Sequence, residues 1–591
     1  VRPPLTEEDL GKRAAIDGRA AFGAAAFGLA AGLVILLDRI GVPDGIVAVL
    51  GPSVALVGLA LLGLLLRNMR VSSFYLGGRH VPVPYAGLAF AAIALALLVP
   101  FARSIPSGLS LAGVLAGFAG GGFLAAFGTG PLLRKTGALS VPDMIIGRFP
   151  NIALRLGIVV IVACAAALVG LAALSLAAQQ IGLVLGLSPA MSLIAAAIIV
   201  GFLVEPGGLS GVVWGAAAAM GILLVGLLLP LALTAFADGS LPFPVGGDRN
   251  SWREGLTFLE RWRVAPSALR GFDPVLLATL MLGFGTLAPV LMPAMATATR
   301  AGAQRAGLAG LFWCALVVAA AAVGLTVATL ALVHGIDGLR PERLPNFLLE
   351  ASAHGDVMIC SAHPGTPAAA RSACATSLGT TQVLKPEFVS ASASYLLRGI
   401  SDLRGFGTAF SGLAAAGGIA IALVLAAACV HALGTALGHD LFYRVRAAGA
   451  LTSRRLAVTR FVMLIAIIGG VAFLMRQKVN ETALIGFAVA LSAAVVAPLL
   501  GLVLWPRANS THASIALVTG LASAEGMLYW QGTGPSVASF ALAALVACGA
   551  SFGMGVIASL LQRADPTSHG VAFVHAVLHG ESDVLHPDKA A

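Results

Sequence analysis

The feature that most constrains this chain is a long apolar run, repeated many times. Residues 20–37, 156–184, 212–236 and 407–436 contain no Asp, Glu, Lys or Arg. A helix of roughly 20 such residues spans about 30 Å of hydrocarbon. Few stretches alternate with the period of two that a barrel strand needs. Backbone groups in lipid must be satisfied internally, so helices are the solution that remains. Composition excludes an ordinary aqueous exterior: 58% of residues are hydrophobic and 10% charged, where a soluble domain carries about a quarter charged. The fold class expected is therefore all-α, a polytopic membrane protein in contact with the lipid bilayer.

By apolar length we count about fourteen spans. They lie near 20–37, 45–66, 82–102, 108–133, 156–184, 188–204, 212–236, 274–297, 306–334, 407–436, 457–475, 482–505, 513–530 and 537–561. The organisation expected is a 1–81 segment with two flanking helices, a first group of five (82–236), and a loop (237–273). A second group of five follows (274–505, with a loop at 335–406), then two further helices (506–562) and a polar, mobile tail (563–591). The first run follows a polar stretch without a clear cleavage site and reads as a retained anchor.

Net charge is +10, but the basic residues fall in short blocks between apolar runs, which encodes topology rather than nucleic-acid binding. With the amino terminus inside, one face collects Arg67, Arg70, Arg79, Arg134, Lys135, Arg148, Arg300, Arg305, Arg444, Arg446, Arg454 and Arg455. Both termini are then cytoplasmic in a bacterial inner membrane, and both long loops lie outside. Cys360 and Cys374 share the second long loop and are candidates for a disulfide there, while Cys164, Cys314, Cys429 and Cys548 sit inside spans.

Two groups of five spans run in opposite senses, the inverted-repeat plan whose sites lie where Gly or Pro interrupts the leading helix of each half. The 82–102 span carries Pro100; the 274–297 span carries Gly283, Gly285, Pro289 and Pro293. Gly and Pro are also common in membrane helices without any such role.

Local motifs then resemble one family. Phe74-Tyr75-Leu76-Gly77-Gly78-Arg79 is similar to the entry motif of the sodium/solute symporter family. Gly137-Ala138-Leu139-Ser140-Val141-Pro142-Asp143 with Arg148-Phe149 resembles its inner loop, and Gly207-Gly208 through Trp214 resembles its turn before the fifth repeat helix. Gly438-His439-Asp440-Leu441-Phe442 resembles the exit of its eighth. Gly283-Phe284-Gly285-Thr286 and the run 485–490 are similar to the acetate-permease branch. The resemblance implies a 5+5 inverted-repeat (LeuT-like) core. It also implies symport of a small organic solute, such as a short monocarboxylate, coupled to Na+ or H+, with no enzyme activity and no organic cofactor. It places ion-binding backbone carbonyls at Ala92 and Leu95, and hydroxyl positions at Ile421, Val424 and Leu425, none of which has a side-chain oxygen.

Polar groups inside spans are costly and so are candidates for function. Gln179, Gln180, Thr286, His431 and Thr435 are the candidate solute-binding residues. An amide suits a carboxylate but equally bonds a neighbouring helix; His431 and Thr435, four apart, share a face on which a histidine carries a proton or simply ties helices together. Glu205 and Asp273 lie at span ends and read as interfacial, and Glu525, inside the penultimate span, as packing or a subunit contact. His569, His575 and His579 lack the Cys or carboxylate partners that would complete a metal site, and no phosphate-cradling loop is present. A small membrane subunit is a candidate partner, and the rival function is a family member without transport, serving as a membrane sensor or scaffold subunit.

Overall fold

A computed structural model describes residues 7–105, 108–238, 249–262, 264, 272–375, 383–446, 449–532, 536–562 and 569–579. The helices in membrane order are α1 (Glu7–Arg39), α2 (Asp44–Leu65), α3 (Val83–Arg103), α4 (Leu111–Thr136), α5 (Ile152–Leu185), α6 (Pro189–Val204) and α7 (Leu209–Ala237). Then come α8 (Pro274–Thr286), α9 (Ala288–Met295), α10 (Arg300–Ile336), α11 (Thr408–Arg446), α12 (Thr452–Arg476), α13 (Glu481–Val503), α14 (Ser510–Gln531) and α15 (Val537–Leu561). Among the described residues, 11 helices are long and apolar enough to cross a membrane, or 12 if the bent pair α8–α9 is one span. Helices stand at all fourteen expected places, but α6 has only 16 residues and α14 is not among those that qualify.

Caps explain where several helices begin. The Asn151 side chain accepts from the Ala153 and Leu154 amides, and Asp273 accepts from Val275 and Leu276. Each satisfies amides that the first turn leaves without a partner. The apolar surface has two destinations. Phe461, Ile465 and Ile468 of α12 stay exposed, as on a helix whose solvent is lipid. By contrast α11 is buried through most of its length and packs against α2, α3, α5, α6, α7 and α12, which makes it the centre of the bundle.

The matched break expected in the 82–102 span is absent: α3 is one uninterrupted helix. Residues 88–98 are Ala, Leu, Ile and Phe, all compatible with a helix, and Pro100 falls in the last turn, where it costs a single backbone bond. The carbonyls of Ala92 and Leu95 therefore lie in the ladder of a continuous helix. The tail also differs from the mobile segment expected: His569–His579 is helical, with Phe573, Val574 and Val577 buried. Lys135 Nζ donates to the Leu578 carbonyl at 3.3 Å, and the Arg148 guanidinium lies 5.7 Å from the Phe573 ring.

The loop between α10 and α11 has structure of its own. Strands β1 (Val357–Ile359) and β2 (Val389–Ala391) pair antiparallel, the one departure from all-α among the described residues. Cys360 and Cys374 are joined by a disulfide. Of the other long loop, Arg249–Arg261 forms a helix against α10.

Close backbone approach fixes the bundle at several glycines. A Cβ on Gly283 of α8 would overlap the carbonyl oxygen of Val489 in α13. Gly283→Val should lower the melting temperature of the detergent-solubilised protein, through overpacking of about 1–3 kcal/mol. Gly549→Val on α15, where an added Cβ meets nothing within 4 Å, should leave it unchanged; equal melting of both variants would refute this account of the α8–α13 contact.

Candidate functional site

The break between α8 and α9 follows from one proline. In a continuous helix the Gly285 carbonyl would accept from the amide of residue 289, but Pro289 has no N–H. The chain instead turns at Leu287 (φ −69°, ψ 126°), and the two helices meet at 45°. An orphaned carbonyl in this setting needs a donor. Thr129 provides it, donating its hydroxyl to the Gly285 oxygen at 2.5 Å. The next residue, Thr286, donates to the Leu282 carbonyl at 2.8 Å and lies 3.0 Å from the Ser492 hydroxyl. Thr129 and Ser492 both belong to widened π-turns, Leu124–Thr129 in α4 and Ser492–Val496 in α13. Such turns are frequent at functional sites.

Two cavities adjoin this break. The smaller, about 10 Å³, is lined by Val162, Ala165 and Ala166 of α5, by residues 286–289, and by Ser492 and Val496. The larger, about 20 Å³, shares Val162 and Ala288 with it and extends toward the loop at 139–142, between Tyr75, Ser140, Pro142, Met295, His431 and Thr435. Apart from Tyr75, Ser140, His431 and Thr435, its lining is apolar.

Of the five candidate solute residues, the structure brings three to these cavities. Thr286 borders the smaller; His431 and Thr435 border the larger, with His431 Nε2 3.5 Å from Thr435 Oγ1 and Nδ1 buried without a hydrogen-bond partner. Gln179 and Gln180 line neither cavity. Gln179 Nε2 instead donates to Ser175 (3.1 Å) and to Glu481 (2.5 Å) at the start of α13. On the same side, Thr482 donates to the Pro100 carbonyl at 2.9 Å and lies 2.7 Å from the Ser104 hydroxyl. These bonds join α3, α5 and α13 and close the face opposite the basic one. Ile421, Val424 and Leu425 are buried and bring no oxygen to the site.

Between the larger cavity and the basic face lie groups that the sequence marks only as motifs. Ser140 donates to Asp440 Oδ2 at 2.5 Å, and His439 Nδ1 lies 2.8 Å from Asp440 Oδ1. Arg444 pairs with Asp143 at 3.0 Å. Arg455 lies over the rings of Tyr75 (4.9 Å) and Tyr443 (4.3 Å), while the Tyr75 hydroxyl is 2.6 Å from Thr459. No local signal in the sequence singles out Thr129, Ser492 or this network. Their partners lie on other helices: Thr129 and Gly285 are 156 positions apart.

Glu205 sits in the turn between α6 and α7 with one carboxyl oxygen buried and unpaired. Arg460 spends donors on the carbonyls of Glu205 (2.9 Å), Asn68 (2.9 Å) and Pro206 (3.3 Å). Burial pushes the Glu205 carboxyl up to about 7, and the charge of Arg460 offsets only part of that. A carboxyl raised on folding favours the folded state below its unfolded value and loses that contribution as pH rises through about 7. Glu205→Gln should therefore stabilise the protein by about 1–2 kcal/mol near pH 8, allowing for partial solvent screening, and have little effect near pH 4.5. Melting curves at both pH values test this; a shift of equal size at both would contradict it.

The fold has a known counterpart. The chain is similar to a Na+-coupled sialic acid symporter solved in a substrate-bound, outward-open state, at TM-score 0.62 and 15% identity, covering 88% of this chain and 98% of that one. A manganese transporter from Eremococcus coleocola aligns at TM-score 0.39 and 15% identity, over 81% of this chain and 94% of that one, too slight a likeness to build on. No family model matches the chain, and no curated protein matches it in sequence. At 15% identity the first likeness is one of fold, and it lends no support to the acetate-permease branch. The chain is a multi-pass helical membrane protein sharing the fold of a Na+-coupled symporter.

Proposed function

We propose that this chain is a secondary transporter that carries a small organic solute by alternating access, coupled to a cation gradient. The observation that carries the reading is an enclosed site at the break in one helix. A broken helix borders two adjoining cavities; the Ser140–Asp440 bond closes them toward the basic face, and Ser175, Gln179, Glu481 and Thr482 bridge helices on the opposite side. A site closed on both sides is the occluded geometry that an alternating-access machine presents in one of its states. The fold shared with a Na+-coupled symporter supports the same reading.

The site suits a solute of few atoms. Thr286, Ser492, Ser140, His431, Thr435 and Tyr75 are its polar groups, with Met292, Met295 and Val162 for an apolar portion, and a short monocarboxylate fits that balance. Gln179 then belongs to the seal of the far face rather than to the solute site. The basic face is cytoplasmic on this reading, in a bacterial inner membrane, with the disulfide loop outside.

Uptake by proteoliposomes tests the reading. Labelled acetate, pyruvate, lactate and sialic acid should be offered under imposed Na+ and H+ gradients. At least one should accumulate under one gradient, and Thr286→Val should cut its initial rate about tenfold or more, the worth of a hydrogen bond in a dry site. Absence of accumulation for every solute under both gradients would end the transporter reading.

A further inference from the structure

The transporter reading leaves the coupling ion open, and the oxygen inventory of the core narrows it. A metal cation asks for several oxygens at once. Helix α3 is unbroken, and residues 412–430 of the central helix α11 contain no side-chain oxygen. At the break, the Gly285 carbonyl already accepts from Thr129, and the Thr286 hydroxyl is bonded within its own helix. A proton, by contrast, needs a single lone pair.

One such lone pair is buried between the larger cavity and the basic face, behind Ser140 and Tyr75 of the cavity lining. His439 is 0% and Asp440 2% exposed. Both Asp440 oxygens are engaged, Oδ1 by His439 Nδ1 and Oδ2 by the Ser140 hydroxyl. His439 Nε2 is buried without a partner. The ring lies 5.4 Å from that of Tyr75, which also lines the cavity, and 5.6 Å from that of Tyr443. His431 and Thr435 precede His439 by eight and four positions on α11 and line the same cavity. The charges around the pair come from every neighbouring element: Asp143 on the helix Val141–Arg148, Arg155 on α5, Arg444 on α11 itself and Arg455 on α12.

We propose that the His439–Asp440 pair is a proton-binding site, entered at His439 Nε2, whose occupancy sets whether the mouth on the basic face is open. Without the added proton, the pair carries one negative charge, held by the surrounding arginines. Asp440 is then a full acceptor for Ser140. That bond is the latch, because Ser140 also caps the helix Val141–Arg148 by accepting from the Asp143 amide, so closing it seats the whole inner loop. With the proton bound at Nε2, the ring becomes an imidazolium. Its second N–H has no acceptor in the closed arrangement, and its charge draws on Asp440 in competition with Ser140. Water entering at an open mouth relieves both. Protonation thus favours opening toward the basic face, and loss of the proton there favours reclosure. Combined with the transporter reading, on which its purpose rests, this assigns H+ as the coupling ion.

The test needs no solute. Cys164, Cys314, Cys429 and Cys548 are replaced by Ala, the disulfide is kept, and Ala436, a buried residue of the cavity lining, is changed to Cys. Its labelling by a membrane-impermeant maleimide is measured on purified protein in nanodiscs, each rate divided by that of the same sample in denaturant to remove thiol ionisation. Between about pH 8.5 and pH 5.5, the normalised rate should rise about tenfold, the worth of one charge-assisted hydrogen bond. Asp440→Asn and His439→Gln should each abolish that dependence, and Ser140→Ala should give fast labelling at both pH values. Size-exclusion profiles identify any variant that fails to fold; Ser140→Ala, which removes no charge, keeps the test alive in that case. A pH response unchanged in the folded variants, or slow labelling of Ser140→Ala, overturns the proposal. Because labelling is independent of uptake, a positive result here with no solute transported would sink only the transporter reading.

Discussion

The site depends on one carbonyl oxygen. Pro289 removes the donor that Gly285 would otherwise have, and a bilayer offers no water to replace it. The hydroxyl of Thr129 takes that place at 2.5 Å, so the break is stable only because a second helix completes it. The cost of the irregular backbone is met by a side chain 156 positions away. That requirement couples α4 to α8, and the Thr286–Ser492 contact couples α13 to the same point. Three helices are thereby held around a bend that a lone helix would not keep.

Much of this is legible in the amino-acid sequence alone. Apolar run length finds the helices, because span length is set by bilayer thickness rather than by details of packing. The break within 283–289 is legible because Gly and Pro act through the local backbone. Pro100 misleads for the same reason inverted: its residue type is identical, but in a last turn followed by Ser104 it ends a helix instead of dividing one. Location within the turn, not the proline itself, decides the outcome.

What the sequence withholds are pairings between distant helices. Gln179 stands out as a costly amide in an apolar run, yet its meaning depends on Glu481, which reads in sequence as an ordinary first-turn acid. His439 and Asp440 are visible as a motif, but nothing local reveals that Ser140 closes on them or that Nε2 is left over. In the tail, polar residues around 563–568 and 580–591 mask an apolar stripe, Phe573, Val574 and Val577, that finds cover only against the bundle.

The cross-linked loop between α10 and α11 has a mechanical consequence. Its segments Ala393–Arg398 and Ile400–Leu403 rest on both helices, the Arg398–Asp356 pair fastens them to the hairpin at 2.9 Å, and the sulfur bridge stiffens what lies between. It acts as a clasp at one end of a pair of tongs. The clasp fixes α10 and α11 to each other at that end, while the far end of α11, Thr435–Arg446, departs from regular winding as a π-helix and is held to the bundle by side-chain bonds from Asp440 and Arg444 instead.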